Sequence, residues 1–595
     1  MKRSLGAFLV LLSLAALALP ADAADAGVSL PEKSVEALLF LRHPRGLNRF
    51  VRAVSNPPSP RYRQYSNVAT LVKRFGASKV DQEKTLAWLA RQGLHGTVGP
   101  TGTYVTAPIP PRRADRLLPR ASGAAASTRS ALGREVPAGL RGPVTSVGIL
   151  GNRRVFKNVT AAPSASAAQP KSGSYSSILT HSGTATGCAD GRDAGIGAPL
   201  EPFTPNQYLT AYGQAAMHAR GLRGQGESMA VVEIDGFRHS DIETFDRCFG
   251  LKTPPIRVTP VSPLNKPFPP GTETTLDLEV LSAGVPDVDR IDVYEGYGTE
   301  TGIMLTAGSA LGSPGHRPDV ISISLGICEP KYSGHLVLYR AMNSIFAVAA
   351  GAGISTLVSS GDTGSSGCRI ETKTTSTALP VKAVSLPSSS PYVTAVGGTN
   401  LQLTAKNRIR SEIVWNDWPE LAGGGGGGTS LLSPRRPWWQ QAPALARYKS
   451  GRIVPDIAAL ADVFPGYSYY CTAPECAQFS QTVPGWTSIG GTSAAAPLMA
   501  SGVVLADQFA ARHRQRPLGF LNPLLYELGN DPKARRDVFR DVSRGNDDVG
   551  ALLPKEAGGG HPLGCCGARP GYDWASGWGS LKVLGLARAA AAAAP

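Results

Sequence analysis

The chain has 595 residues, too many for one hydrophobic core, so two or three domains are predicted. Apolar residues make up 42% of it, which is ordinary for a globular protein. The net charge of +16 is confined to the N-terminal third, because residues 1–180 hold 25 basic and 8 acidic residues and the remainder holds 35 and 36. No aromatic-basic recognition motif accompanies this charge, which argues against nucleic-acid binding and favours a basic unit that docks on a neutral or acidic domain.

The first residues predict export. Lys2 and Arg3 precede an apolar run, Leu5–Leu19, and an Ala-x-Ala cleavage pattern follows at Ala21–Ala23, so residues 1–24 are predicted to be a secretory signal peptide. The run is too short to span a membrane comfortably and no other stretch approaches that length, so no membrane anchor is expected. The protein is therefore expected to be secreted, with the periplasm as an alternative.

The cysteines agree with export. All eight lie after residue 187, and their even number fits disulfides. Cys471 with Cys476, and Cys328 with Cys368, are predicted pairs, whereas the adjacent Cys565 and Cys566 are not expected to bridge each other. No Cys-x-x-Cys pair suggests a zinc site.

Residues 25–150 are predicted to form a small α/β unit. Val35–Leu41 has the pattern of a strand, Val68–Phe75 and Gln82–Gln92 have helical patterns, and Val136–Leu150 is again ordered. Residues 151–187 are rich in Ser, Ala and Thr, which is typical of an exposed linker and a natural place for a processing site.

The remaining residues, 188–595, are predicted to form an α/β domain. Short β-rich runs alternate with helical patterns; the strands are Met229–Glu233, Val320–Leu325, Thr356–Ser359 and Tyr392–Val396, and the helices are Asn206–Arg220, Asp241–Cys248, Glu273–Ala283, Gly302–Leu311 and Gly334–Ala350. This alternation predicts a mostly parallel sheet with helices on both faces, and ligands bind such sheets beyond the carboxyl ends of the strands. Asp235 and Ser360–Asp362 directly follow strands and are expected at that edge.

Ser493 is the candidate nucleophile. It follows two glycines, which permit a tight turn, and stands where a loop becomes an apolar helix, Ala494–Arg512. The free N–H groups at a helix start suit acyl transfer to an exposed serine, although a helix-capping serine has the same local pattern.

The candidate base is a carboxylate pair. Glu273 and Asp277 are four residues apart on one helix face and would share a proton if buried; a solvated acidic first turn is the alternative. None of the nine histidines lies close to Ser493 in sequence.

Together these motifs resemble the sedolisins, or serine-carboxyl peptidases. Gly491–Pro497 is similar to their nucleophile motif, Glu273-x-x-x-Asp277 to their Glu/Asp pair and Ser360–Gly364 to the turn that carries their oxyanion-hole Asp, while residues 25–150 resemble the pro-kumamolisin-like propeptide, with Ser55–Pro57 and Arg74–Gly76 as its clearest marks. The resemblance implies a subtilisin-like fold with a mostly parallel sheet flanked by helices, preceded by a smaller ferredoxin-like α/β prodomain.

The resemblance also implies roles for single residues. Ser493 would be the nucleophile, Glu273 the base, Asp277 its partner, and Asp362 a protonated donor to the oxyanion, which requires acid pH. Glu233, at the end of a strand, would extend the carboxyl network, although the Trp that accompanies it in some members is replaced here by Leu325.

A calcium site is expected from the same resemblance. Asp541 and Asp573 would bind one structural ion through their side chains, and Val542, Arg569 and Gly571 through backbone oxygens; Arg569 stands where glycine is usual. A metal-free Asp-rich turn is the alternative.

The function expected is that of a secreted, acid-acting endopeptidase that acts on protein or peptide substrates. It would be a monomeric zymogen inhibited by its own prodomain, whose basic side chains would lose their carboxylate partners at acid pH. A tripeptidyl aminopeptidase of the same family is the first alternative, and an inactive secreted binding relative is the second. The six glycines at 423–428 are expected to form a flexible loop.

Overall fold

The structure is a computed structural model. It describes residues 34–120, 134–151, 157–158, 183–194, 201–261, 266–313, 315–329, 336–371, 376–378, 380–418, 423–446, 448, 451–478, 483–553, 555 and 559–593. The predicted signal peptide and most of the predicted linker lie outside the described residues, so both stay predictions.

The N-terminal unit is a four-stranded antiparallel sheet with helices. Its strands are β1 (Val35–Leu41), β2 (Thr97–Val98), β3 (Tyr104–Ile109) and β4 (Val144–Leu150), and its helices are α1 (Leu47–Ser55), α2 (Val68–Phe75), α3 (Lys79–Arg91) and α4 (Pro111–Leu117). The strand order β2-β3-β1-β4, with helices between β1 and β2 and between β3 and β4, is the ferredoxin-like arrangement that was predicted.

Strand β1 is buried on both faces, which explains its almost continuous apolar sequence. Ala37, Leu39 and Leu41 pack into the core of the N-terminal unit, whereas Leu38 and Phe40 point the other way and join the main core. The N-terminal unit is therefore packed onto the larger domain through the second face of its own central strand.

The larger domain contains the remaining elements. Its helices are α5 (Ala189–Arg192), α6 (Pro205–Ala211), α7 (Gln214–His218), α8 (His239–Phe249), α9 (Thr272–Gly284), α10 (Glu300–Ser309), α11 (Leu336–Gly351), α12 (Thr492–Arg512), α13 (Asn522–Asn530), α14 (Pro532–Val538) and α15 (Val583–Ala592). Its strands are β5 (Lys157–Asn158), β6 (Ser228–Glu233), β7 (Ile256–Pro260), β8 (Arg290–Glu295), β9 (Val320–Ile323), β10 (Leu325–Cys328), β11 (Ser355–Ser359), β12 (Arg369–Glu371), β13 (Ser376–Ala378), β14 (Ser385–Leu386), β15 (Thr394–Leu403), β16 (Ile409–Val414), β17 (Gly428–Thr429), β18 (Ile453–Val454), β19 (Ile457–Leu460), β20 (Tyr467–Tyr470), β21 (Trp486–Ile489), β22 (Phe539–Arg540) and β23 (Ser580–Leu581).

The central sheet confirms the predicted α/β class. Its strand order is β16-β15-β11-β9-β6-β8-β7, with β19 also paired to β15, and every pair except β15–β16 is parallel. The carboxyl ends of parallel strands meet at one edge of the sheet. Glu233 ends β6, Ser324 follows β9 and Asp362 lies just beyond β11, so all three belong to that edge.

Helix α12 runs through the core. It packs along β9, β11, β15 and β19 and against α9 and α15. Its length and apolar composition are those of a membrane span, but 89% of the apolar window is buried inside the protein, as expected of a core helix. The predicted helix Asn206–Arg220 is instead two helices, α6 and α7, because the chain turns at Gly213, whose φ is 80°.

Four disulfides join the eight cysteines. The predicted pairs Cys328–Cys368 and Cys471–Cys476 are confirmed, and Cys188–Cys248 is a further pair. The expectation for Cys565 and Cys566 is wrong, since the other six cysteines are paired among themselves and these two bridge each other.

Candidate active site

Ser493, the second residue of α12, is fully buried. Two glycines shape the turn before it: Gly491 has a φ of 110°, and a β-carbon at Gly490 would lie 2.5 Å from the carbonyl oxygen of Ala461. The turn brings the Ser493 hydroxyl to the carboxyl edge of the sheet, where it donates a hydrogen bond to the carbonyl oxygen of Ser324 at 3.3 Å.

The two acids predicted as base and partner lie beside this hydroxyl. Glu273 and Asp277 are one turn apart on α9, and both are fully buried. Burial, and next the charge of Asp277, raise the pKa of Glu273 well above its ordinary value, while a hydrogen bond with Ser493 lowers it. Burial also raises the pKa of Asp277 to about 8. Two buried carboxyls one helical turn apart can share a proton.

Ser324 links the acid pair to the nucleophile and was not singled out from the sequence. Its hydroxyl donates to Asp277, with Oγ 2.8 Å from Oδ1 and 2.9 Å from Oδ2, and lies 3.1 Å from the carbonyl oxygen of Ser493. The bond to Asp277 lowers the pKa of that acid and so favours its charged form. Its position directly after a buried strand is the signal that marks it in the sequence.

Glu233 lies behind the pair. It is fully buried at the end of β6, and burial, followed by the charges of Asp277 and Asp235, raises its pKa well above the usual range. The interaction with Asp277 adds to the raised pKa of Glu233, and the interaction with Glu233 lowers the pKa of Asp277. Glu233 therefore interacts electrostatically with the acid pair, and its role in the reaction stays a prediction.

Asp362 lies on the other side of the nucleophile. It follows Gly361, whose φ is 112°, and its Oδ1 accepts hydrogen bonds from the backbone N–H and the hydroxyl of Thr492, both at 2.8 Å. The Thr492 hydroxyl in turn accepts from the N–H of Gly361 at 3.0 Å. These bonds fix Asp362 against the residue that precedes Ser493.

The glycine run at 423–428 supports this turn, and its expected flexibility is wrong. All six residues are buried; the N–H of Gly424 donates to the Asp362 carbonyl at 3.1 Å and that of Gly426 to the Gly361 carbonyl at 2.7 Å. A β-carbon at Gly426 would lie 2.4 Å from the Ser360 carbonyl oxygen, so the close contact of two backbones requires glycine.

The predicted calcium ligands lie in two adjoining loops. The N–H of Gly571 donates to Asp541 Oδ2 at 2.7 Å, that of Arg569 to Asp573 Oδ2 at 2.9 Å, and the carbonyl oxygen of Val542 accepts from the Ser576 hydroxyl at 3.2 Å. This all-oxygen set, with two carboxylates, fits a hard cation in its chemistry. The described ranges contain no group of three or more His, Cys, Asp or Glu residues arranged to hold a metal, so a cation would depend on the backbone oxygens.

The chain's own linker lies along the edge beside the nucleophile. Backbone residues Lys157–Asn158 pair antiparallel with β10, Asn158 opposite Leu325 and Lys157 opposite Gly326. Leu325 is the residue after Ser324, so an extended peptide on this strand passes next to the candidate nucleophile.

The contact between the two units is mostly uncharged. Helix α11 packs against α1, α2, β1 and β4. The hydroxyls of Thr101 and Thr103 lie 3.2 and 2.8 Å from that of Ser344, and the Tyr65 hydroxyl donates to the Leu518 carbonyl at 2.6 Å. Among the described residues no ion pair within 4 Å joins the units. Burial raises the pKa of Asp507 but the charge of Arg63 lowers it, so release through weakened basic–carboxylate contacts stays a prediction.

Two family models match the chain. The one described as pro-kumamolisin, activation domain, matches residues 25–125, and the one described as subtilase family matches residues 288–516. The second match includes Asp362 and Ser493 and begins after Glu273 and Asp277.

Individual proteins are similar over longer stretches. Kumamolisin of Bacillus sp. (strain MN-32) is 33% identical over 398 residues, which cover 65% of this chain and 63% of that protein. Tripeptidyl-peptidase 1 of Mus musculus is 27% identical over 588 residues, 93% of this chain and 91% of that one. Among solved structures, Pseudomonas sedolisin, a serine-carboxyl proteinase complexed with two molecules of pseudo-iodotyrostatin, matches with a TM-score of 0.52 and 24% identity over 65% of this chain and 98% of its own, which shows the fold.

Proposed function

The chain belongs to the sedolisin family of peptidases, and from this premise we propose that it is the zymogen of a secreted serine-carboxyl endopeptidase that acts at acid pH. One observation supports the proposal: the pKa of buried Glu273 is raised by burial and next by the charge of Asp277, and a hydrogen bond with Ser493 lowers it. Among the histidines that the structure describes, none is hydrogen-bonded to Ser493. A carboxyl pair therefore takes the place that an imidazole has in most serine peptidases.

In the proposed reaction Ser493 Oγ attacks the carbonyl carbon of the scissile bond while Glu273 takes the hydroxyl proton. The C–N bond then breaks as Glu273 returns this proton to the leaving amine, and an acyl-enzyme remains. Water, deprotonated by Glu273, attacks the ester, and the proton returns to Ser493 as the acid product leaves. Asp277 holds the proton that the pair shares and orients Glu273 through a hydrogen bond.

Asp362 is proposed to stabilise the oxyanion. An ionised carboxylate can only accept hydrogen bonds, whereas a neutral acid donates one, so Asp362 must be protonated to assist the developing negative oxygen. Two hydrogen bonds from Thr492 to its Oδ1 fix the carboxyl group beside the residue that precedes Ser493, which supports this role. Activity is therefore proposed to fall as the pH approaches neutrality.

Cleavage inside chains is favoured over removal of tripeptides. Lys157–Asn158 follow a folded unit and still pair with β10, which supports a groove that accepts a chain without a nearby free N-terminus. The similarity to tripeptidyl-peptidase 1 supports the alternative, a tripeptidyl aminopeptidase. A peptide with an acetylated N-terminus distinguishes them, because only an endopeptidase cleaves it.

The N-terminal unit is proposed to be the intramolecular inhibitor, removed by cleavage within residues 151–187. Secretion and a monomeric state are part of the proposal; the four disulfides support an oxidising destination. One structural calcium ion is proposed, held by Asp541 and Asp573 side chains and the backbone oxygens of Val542, Arg569 and Gly571, where it would tie the two loops together.

The experiment is incubation of the purified precursor at pH 4, followed by size analysis. The wild-type chain is expected to shorten, whereas Ser493→Ala and Glu273→Gln stay at full length. Ser501→Ala, a buried serine on the same helix bonded to Gln214 and Leu498, is the matched control and is expected to process normally. Processing of Ser493→Ala at the wild-type rate would contradict the proposal and leave the inactive binding relative as the better account.

A further inference from the structure

Asp235 touches the start of the helix that carries the acid pair. It stands two residues past the end of β6 and is 5% exposed. Its Oδ2 accepts the N–H of Glu273 at 3.2 Å, and its Oδ1 accepts the N–H and the hydroxyl of Thr274 at 3.1 and 2.6 Å. A side chain from the sheet therefore caps α9 at the turn that holds Glu273.

The chain provides no local substitute for this cap. Helix α9 begins after Gly271, which has no side chain to accept the first N–H groups of the helix. A β-carbon at Gly271 would lie 2.2 Å from Asp235 Oδ2, so the glycine leaves the space that the carboxylate fills. Backbone hydrogen bonds also hold the two segments together. The N–H of Gly236 donates to the Pro269 carbonyl and the N–H of Gly271 donates to the Gly236 carbonyl, both at 2.8 Å.

The same carboxylate acts on the neighbouring acids. Asp235 accepts its three hydrogen bonds at the N-terminus of α9, where the helix dipole has its positive end. The titratable groups that face it come from four elements: Glu233 on β6, Glu273 and Asp277 on α9, Glu295 on β8 and Tyr469 on β20. Burial is the largest cause of the raised pKa of each, and the charge of Asp235 adds to it in every case. The charge of Asp235 thus favours the protonated form of the acids around it.

We propose that Asp235 is a positioning residue of the peptidase reaction: it clamps the first turn of α9 to the sheet edge and so sets where Glu273 meets Ser493. The inference rests on the proposed function of that site. Asp235 acts through Glu273 and does not touch the reacting atoms.

Two substitutions, made in the full-length precursor and assayed after acid activation, test this role. In Asp235→Asn the amide oxygen still accepts hydrogen bonds from Thr274. The amide NH₂ group takes the place of the oxygen that accepts from the Glu273 N–H, so this bond is lost. The negative charge is lost as well. Asp235→Ala removes the whole clamp. We expect kcat to fall by roughly 10-fold for Asn and roughly 100-fold for Ala, with little change in KM, because misplacement of a catalytic group affects the transition state most.

The pH profile provides the second readout. Removal of a negative charge makes ionisation of Glu273 and Asp277 easier, so the profile of kcat/KM in Asp235→Asn is expected to move to lower pH by roughly one unit. A loss of stability alone would lower kcat/KM at every pH without a shift of the profile along the pH axis.

Asp246→Asn is the matched control. Asp246 is also buried and also holds α9, through the Ser282 hydroxyl at 2.6 Å, but about 13 Å further along the helix axis from Glu273. Its substitution is expected to lower the unfolding temperature and leave the profile in place. If Asp235→Ala fails to fold, the positioning role of Asp235 is tested with Asp235→Asn alone.

The inference is overturned if Asp235→Asn matches the wild type in kcat and profile, or if Asp246→Asn moves the profile equally. The Ser493→Ala variant distinguishes failure of this inference from failure of the proposed function. If Ser493→Ala keeps activity, the proposed reaction itself is wrong; if Ser493→Ala is inactive and Asp235→Asn is unchanged, only the role of Asp235 is wrong.

Discussion

Replacement of Ser324 by alanine is expected to slow the reaction and to move its pH profile upwards. The Ser324 hydroxyl donates to both oxygens of Asp277, at 2.8 and 2.9 Å, in a site without solvent exposure. Alanine keeps the backbone carbonyl that accepts from Ser493 and removes only the donor. The Asp277 carboxylate would then lose a charge-assisted hydrogen bond that no water replaces.

The magnitude follows from the kind of bond. A hydrogen bond to a charged group contributes about 1.5–3 kcal/mol, which corresponds to a loss of roughly 10- to 150-fold in kcat/KM if the bond is fully used in the transition state. The same free energy shifts a pKa by about one to two units. The pKa of Asp277 is already raised to about 8 and the bond with Ser324 lowers it, so its loss raises this pKa further. The acid pair then keeps its shared proton to higher pH, opposite in direction to the shift expected for Asp235→Asn.

The assay is hydrolysis of a synthetic peptide by the acid-activated enzyme from pH 2 to 8, with kcat and KM at each pH. Ser322→Ala is the control, because Ser322 is a buried serine two residues earlier on the same strand and its hydroxyl makes no hydrogen bond in the described part of the chain. A Ser324→Ala enzyme within twofold of Ser322→Ala, with an unmoved profile, would refute the reasoning.

Three further predictions concern pH, the oxyanion and calcium. The Ser493→Ala precursor, which cannot digest itself, should unfold at a lower temperature at pH 8 than at pH 4: the pKa of Asp277 is raised from 3.8 to about 8, so the native state binds more protons across this window and stability falls as pH rises; equal midpoints by calorimetry would contradict this. Asp362→Asn, which keeps a donor, should retain part of kcat at pH 4 and lose less activity towards neutral pH than the wild type, whereas Asp362→Ala should lose roughly 100-fold or more; equal losses in stopped assays would argue against the oxyanion role. Chelation should lower the unfolding temperature of the wild type and leave that of Asp541→Asn unchanged; no effect on the wild type would remove calcium from the proposal.

The sequence was a good guide where a property depends on neighbours along the chain. Spacing of four placed Glu273 and Asp277 on one helix face, and the paired glycines before Ser493 indicated the turn at the start of α12. The limits of β1 and α2 were predicted to the residue, because alternation and helical periodicity are local properties. The candidate nucleophile, the candidate acid pair and the turn at Asp362 could therefore be selected without coordinates.

Other features depend on contacts between distant segments, and there the sequence was silent or misleading. Ser324 directly follows a buried strand, but Ser360 does so too, and this local signal does not distinguish the two serines. The glycine run has the composition of a flexible loop, yet it is buried because the backbone at Ser360 lies against it. Cys565 and Cys566 bridge each other because the other six cysteines are paired elsewhere.

The sequence by itself determined which groups can react: a serine on a glycine turn, two acids on one helix face and a third acid after a strand. Tertiary structure decided how they meet, because parallel strands bring residues far apart in the chain to one sheet edge and exclude water there. Burial then raises the pKa values that let these acids share protons, a property that depends on the whole packed core.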